Sequence, residues 1–350
     1  MGRLKVIKKE RLFAEDQKWF QNCHANTQVR LNNGDMLVAF WAGTSEGTPD
    51  QAIWMVRYKD GAWQDPVRVK YIYQLPHWNP VLFLDQDGIL HLYYKIGLTV
   101  QNWYTMVSES RDNGLTWTEA REAVPGDYTP RVTVRNKILI ASNGDYIAPS
   151  SSETGTRMDS YADISEDRGN SWNKYEIPIR HKLTEPLEEE YLWEGLKRGA
   201  LWENNLSVIR SWDGVIQPAM WESKPGHIHA LMRSTRKRIY RSDSSDYGKT
   251  WCEAYPAELP NNCSGIDAVY GAGGILAVAY NPVPHNWGKR TPLAVSISDD
   301  NGKTFCDSVY LECGEGEFSY PSITVEENIF HVIYTINRKT FGYCQLEYLL

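Results

Sequence analysis

The sequence predicts an all-β protein built as a β-propeller, and three observations carry that prediction. A boxed turn recurs through the chain, its copies are regularly spaced, and the intervals hold short β-rich strands with few helical patterns. At 350 residues the chain is long for one domain, but large β folds stay single at this size.

The box is clearest in "SDSSDYGKTW", which sets Ser244, Asp246, Gly248, Thr250 and Trp251 at fixed offsets. "SESRDNGLTW" repeats it with Ser110, Asp112, Gly114, Thr116 and Trp117. "ISEDRGNSW" supplies Ser165, Asp167, Gly169, Ser171 and Trp172, and "SISDDNGKTF" supplies Ser298, Asp300, Gly302, Thr304 and Phe305. A worn copy, "YKDGAW", keeps Asp60, Gly61 and Trp63. The aspartate accepts hydrogen bonds from nearby backbone N–H groups, the glycine takes a positive φ, and the aromatic plugs the space between sheets. The box therefore reads as a structural staple without chemistry of its own.

The box aspartates are 52, 55, 79 and 54 residues apart. About fifty residues suit a four-stranded blade. "MLVAFWAG", "ILHLYYKIG", "GILAVAY" and "IFHVIYTI" read as second strands, each after a turn such as "NNGD", "DQDG" or "GAGG". The long interval holds "RHKLTEPLEEEYLWEGLKRGALWEN", which reads as an insertion at about 180–204, perched on the rim. Five repeats end on boxes, and the C-terminal "SYPSITVEENIFHVIYTINRKTFGYCQLEYLL" begins a sixth, closed by "RLKVIKKERLF" from the N-terminus. Residues 1–350 thus read as one domain, a six-bladed propeller, or a seven-bladed one if 180–215 build their own blade.

The bulk properties exclude several functions. A net charge of -7 gives no footprint for nucleic acid, and no apolar run is long enough to span a membrane. The six cysteines form no C-x-x-C pair, and "HIH" at 227–229 lacks an evident third ligand, so no metal site is expected. No cofactor is required; a structural calcium is compatible with the sequence but not legible in it. "MGRLKVIKKERLFAED" has no signal-peptide core, which makes the cytoplasm the default expectation, or secretion if a leader has been removed. The 14 Trp and 21 Tyr are mostly packing, with some free to floor a sugar site.

These boxes and their spacing resemble the Asp-box (BNR-repeat) propellers of the sialidase, or neuraminidase, superfamily, over nearly the whole chain. The resemblance implies a sialidase-type propeller with an axial sugar site. Some functional positions match and others depart. Arg233 in "ALMRST", Arg290 in "RTPLAVSIS" and Tyr320 in "EFSYPSI" match two anion-binding arginines and the nucleophilic tyrosine. His24 stands where the family has a first arginine, and Gln217 where it has the activating glutamate. Glu46 in "WAGTSEG" is the candidate first-blade acid. A phenol of ordinary pKa near 10 needs a base to become a nucleophile, and a glutamine cannot serve.

The altered set points to another reaction. Arg233 and Arg290 would clamp a carboxylate, with Arg135 assisting; His24 would accept a proton; Tyr320 would donate or relay one; His77 would be a second imidazole in the cavity. Trp41 and Trp78, with Trp287, are candidate sugar platforms. Such a set suits β-elimination from a uronic acid, and the superfamily's rhamnose–glucuronate lyases depart from sialidases in a similar way. The expected partner is an acidic oligosaccharide or polysaccharide. The alternatives are a sialidase-like glycoside hydrolase releasing a terminal acidic sugar and a non-catalytic glycan-binding propeller.

Overall fold

The computed structural model describes residues 4–182 and 187–349. It is an all-β propeller made of four-stranded antiparallel meanders. The first meander runs through strands Asn22–Arg30, Met36–Gly43 and Ala52–Lys59, with Ala62–Trp63 and Val67–Lys70 outermost. The second starts with His77–Leu84 and the third with Leu139–Ile140. The fourth starts with Asp213–Lys224, the fifth with Asp267–Tyr270 and the sixth with Phe318–Glu326. Strand Leu4–Arg11 pairs with Thr340–Tyr348, so the N-terminus supplies the last meander's outer strand.

Against the expected six blades, or seven, the hydrogen bonding gives five sheets among the described residues. Four sheets are single meanders. The fifth has eight strands, because Arg157 and Met158 of the third meander pair in parallel with Asp213 and Gly214 of the fourth. The long connection from Ile177 to Asp213 returns the chain beside that strand. Residues 187–212 build no blade. They form short helical turns at Glu189–Tyr191, Glu194–Lys197 and Leu206–Ser211. Positions 183–186 of the expected insertion lie outside the described residues. In the rest of the segment Leu192, Trp193, Leu196 and Ile209 pack on Met158, Ile216, Cys263 and Trp287.

The core is divided among the faces where meanders meet. One apolar cluster joins Leu37, Trp41 and Ile53 of the first meander to Leu82, Leu92 and Tyr94 of the second. Another joins Ile333, Phe341 and Tyr343 of the sixth back to Val38 and Phe40 of the first, which closes the ring. Each large side chain so buried contributes roughly 1.5–3 kcal/mol.

The boxes lock these faces. Asp112 accepts from the Thr116 backbone N–H at 2.9 Å, while the Ser110 hydroxyl accepts from Gly114 N at 2.8 Å. Gly114 has φ +79°, and a Cβ there would meet Leu37 Cδ2 of the preceding meander at 2.8 Å. Arg57 of that meander donates to Asn113 O at 2.6 Å. The fourth and fifth meanders repeat the device: Arg241 donates to Asn301 O at 2.6 Å. The box is thus a staple between neighbouring sheets.

Candidate functional site

Four inner strands carry the same irregularity. Pairing jumps from His24 to Thr27, from Trp78 to Val81, from Ile216 to Ala219 and from Ser319 to Ser322. Each jump spends three residues against two on the partner strand, a β-bulge, and bulges re-aim side chains. Each bulge holds a left-handed residue: Ala25 (φ 54°), Asn79 (27°), Gln217 (55°) and Tyr320 (52°). Proline follows the last three, although a residue before proline normally stays extended. Such non-glycine conformations cost about 1–3 kcal/mol each and gather at functional sites.

The bulges surround an axial cavity of about 50 Å³. Tyr320 is its centre. Arg233 Nη1 donates to the phenol oxygen at 2.5 Å, and Gln217 Oε1 accepts from the same nitrogen at 3.2 Å. The guanidinium groups of Arg135, Arg290 and Arg233 lie 5.1, 5.3 and 5.5 Å from the Tyr320 ring. The His24 ring lies 4.1 Å away on the other side. Its Nδ1 is 2.9 Å from Thr335 Oγ1, and its Nε2 has no partner among the described residues. Burial, reinforced by Arg338, Arg290, Arg135 and Arg233, holds the His24 pKa well below the usual histidine value.

The structure brings together His24, Tyr320, Arg233, Arg290, Gln217, Glu46, Trp41 and Trp78, all on the cavity lining. It leaves out two candidates. His77 is turned sideways within the second meander, its Nδ1 donating to Leu75 O at 2.8 Å and its ring stacked 5.5 Å from Tyr94. The expected second imidazole is therefore absent from the cavity, because the strand's alternation aims its neighbour Trp78 inward instead. Arg135 lies beneath the Tyr320 ring, donating to Pro321 O at 2.7 Å and Asn136 Oδ1 at 2.8 Å, so it supports the floor without lining it.

The expected arginine pair is also unequal. Arg290 donates to Glu317 at 2.7 Å and lies 3.8 Å from the Trp193 ring. Glu317 also bonds Arg338, which in turn pairs with Glu46 at 2.5 Å. Arg233 differs: its hydrogen-bond partners are Tyr320, Gln217 and the Cys263 sulfur, none of them a carboxylate. A buried guanidinium with no hydrogen-bonded carboxylate is costly.

Sequence reading missed Glu153, Glu317, Arg338 and the aromatic roof. Glu153 lines the cavity, and burial pushes its carboxyl up to about 7, against Arg233 and with Glu46. Opposed by burial, Arg338 and Arg290 hold the Glu317 carboxyl below its usual range. Leu201, Trp202 and Trp212 of the 187–212 segment cover the cavity, with Trp287 beside them. A signal existed for Arg338 and for Trp103: both follow second strands, as the candidates Glu46 and Trp287 do, on loops at the same end of the sheets. No group of three or more metal-binding side chains occurs among the described residues, and no helix there could cross a membrane.

Repeated boxes, ringed sheets and an axial cavity define a propeller with a polar axial site. The chain belongs to the BNR repeat-like domain family, which it matches over residues 34–332. No curated protein matches it. Among solved structures it is similar to a protein of unknown function from Dyadobacter fermentans, 14% identical with a TM-score of 0.76, over 99% of this chain and 100% of that one. It is also similar to the NanB sialidase of Streptococcus pneumoniae, 12% identical with a TM-score of 0.70, over 97% of this chain and 70% of that one. The Trypanosoma rangeli sialidase in complex with sialic acid is 16% identical with a TM-score of 0.65, over 94% of this chain and 54% of that one. At these identities the likeness is one of fold.

Proposed function

We propose that the axial cavity binds the carboxylate of an acidic sugar on Arg233 and that the protein cleaves the adjoining glycosidic bond by β-elimination. One observation carries this reading: Arg233 is buried, has no hydrogen-bonded carboxylate, and donates to the phenol oxygen of Tyr320. Pairing with Arg233 would neutralise the substrate carboxylate and acidify the proton on C5. As a phenolate accepting the hydrogen bond from Arg233 Nη1, Tyr320 would take that proton. The C4–O bond then breaks, a C4–C5 double bond forms, and the phenol returns the proton to the leaving oxygen. His24, neutral under burial and its cationic neighbours, packs against the ring and offers Nε2 to a sugar hydroxyl. A glucuronate carrying rhamnose is the substrate we favour. The same reading counts the two halves of the eight-stranded sheet as separate blades, giving six.

Glu153 favours a second reading. A carboxyl tuned to about 7 suits a general acid in hydrolysis of a terminal acidic sugar. Acidic glycans incubated with the protein separate the two: elimination creates an unsaturated uronate with new ultraviolet absorbance, whereas hydrolysis creates none. Binding without product would leave a glycan-binding propeller and overturn both.

A further inference from the structure

Two more concavities lie on the same end of the sheets as the axial cavity. A basin of about 1010 Å³ opens between the 187–212 segment and the sixth meander. A groove of about 680 Å³ follows the edge of the first meander. The three adjoin at shared wall residues. Arg290 lines both the cavity and the basin, and Lys339 lines both the basin and the groove.

Their chemistry differs in a graded way. The basin wall carries Arg198, Lys289 and Lys339 beside Glu194 and Glu315, while Arg290 and Arg338 in the same wall are buried and paired with Glu317. That is a cationic excess on a chain whose net charge is -7. The groove is mixed in charge and is lined by Trp54 and by Trp19, which is 41% exposed. A partly exposed tryptophan in a polar groove is a stacking surface for the C–H face of a sugar ring.

We propose that cavity, basin and groove form one extended cleft for an acidic oligosaccharide, with a second acidic residue in the basin and a third sugar on Trp19. The proposal rests on the reading of the cavity as an acidic-sugar site. A substrate that ended in one charged sugar would use the cavity alone. The basin is itself large enough for a ligand, since small-molecule sites span about 300–1,000 Å³. Its charge selects the acidic residue, and the step across Lys339 leads the chain to the aromatic surface.

Titration calorimetry on the full chain tests this, with mono-, di-, tri- and tetraglucuronate as probes and cellotetraose as the neutral control. Affinity should rise about tenfold or more from the mono- to the trisaccharide, the gain being free energy from added subsites. Lys289→Ala should remove the gain at the second residue and Trp19→Ala the gain at the third. Affinity independent of length, equal affinity for cellotetraose, variants that retain the gain, or no binding at any length would each overturn the cleft. Length-dependent binding without cleavage would retain the cleft and sink the catalytic reading. Cleavage with length-independent binding would do the reverse.

Discussion

The phenol oxygen of Tyr320 and the Nη1 of Arg233 lie 2.5 Å apart, although 86 residues separate them between the fourth and sixth meanders. The contact joins the group that would carry the proton to the cation that would hold the substrate.

Tyr320→Phe should lower the cleavage rate by about 10³-fold while leaving acidic-sugar affinity within a few fold, because removal of a proton-transfer group costs about 10²–10⁴ in rate. Steady-state kinetics beside calorimetry checks this. A variant that still turns over at wild-type rate removes Tyr320 from the chemistry.

Glu317→Gln should destabilise the fold by about 3–5 kcal/mol, since it strips a buried carboxylate from Arg290 and Arg338. The folded-state pKa is held below the unfolded one. Glu317 therefore stabilises the protein above the ordinary carboxylate range, and this contribution is lost as pH falls through the folded value. Urea unfolding across that window should show wild-type stability falling toward that of the variant.

His77 supplies a second pH test. Burial lowers its pKa to about 4. The unfolded chain takes up its proton near 6.5, so stability is full above that and drains as pH falls toward 4, by about 3 kcal/mol in all. His77→Phe should flatten this segment of the stability curve. Because His77 lies outside the cavity, the same variant should keep its cleavage rate.

Glu153→Gln should change the pH profile rather than the fold. A carboxyl near 7 is protonated below that pH, so kcat/KM of the wild type should bend there. The variant should lose the bend. If both profiles coincide, Glu153 takes no part in the reaction.

Much of the architecture was legible because it is local and repeated. The boxes are closed by hydrogen bonds among residues two to four apart, as in Ser244, Asp246, Gly248 and Thr250, so their offsets stand in the sequence. The second strands were legible from their β-branched and aromatic runs. The bulges were not: "HWNP", "IQPA" and "SYPS" hide a left-handed residue before a proline, against that residue's ordinary preference.

His77 shows the limit from the other side. It stands beside Trp78, and only the strand's pleat decides which of the two faces the axis. Glu317 sits three residues before Tyr320, yet its partner Arg338 lies in the next hairpin turn. Glu153 had no motif at all, and its tuning comes from burial.

The sequence by itself determined the repeat, the staple and the second strands, because these rest on contacts within single turns and on local β-rich runs. Only the tertiary structure decided which side chains share the axial cavity, which arginine there lacks a carboxylate, and that the inserted segment roofs the site. Those outcomes depend on strands far apart in the chain converging on one axis, where burial and neighbouring charge fix each group's protonation and partners.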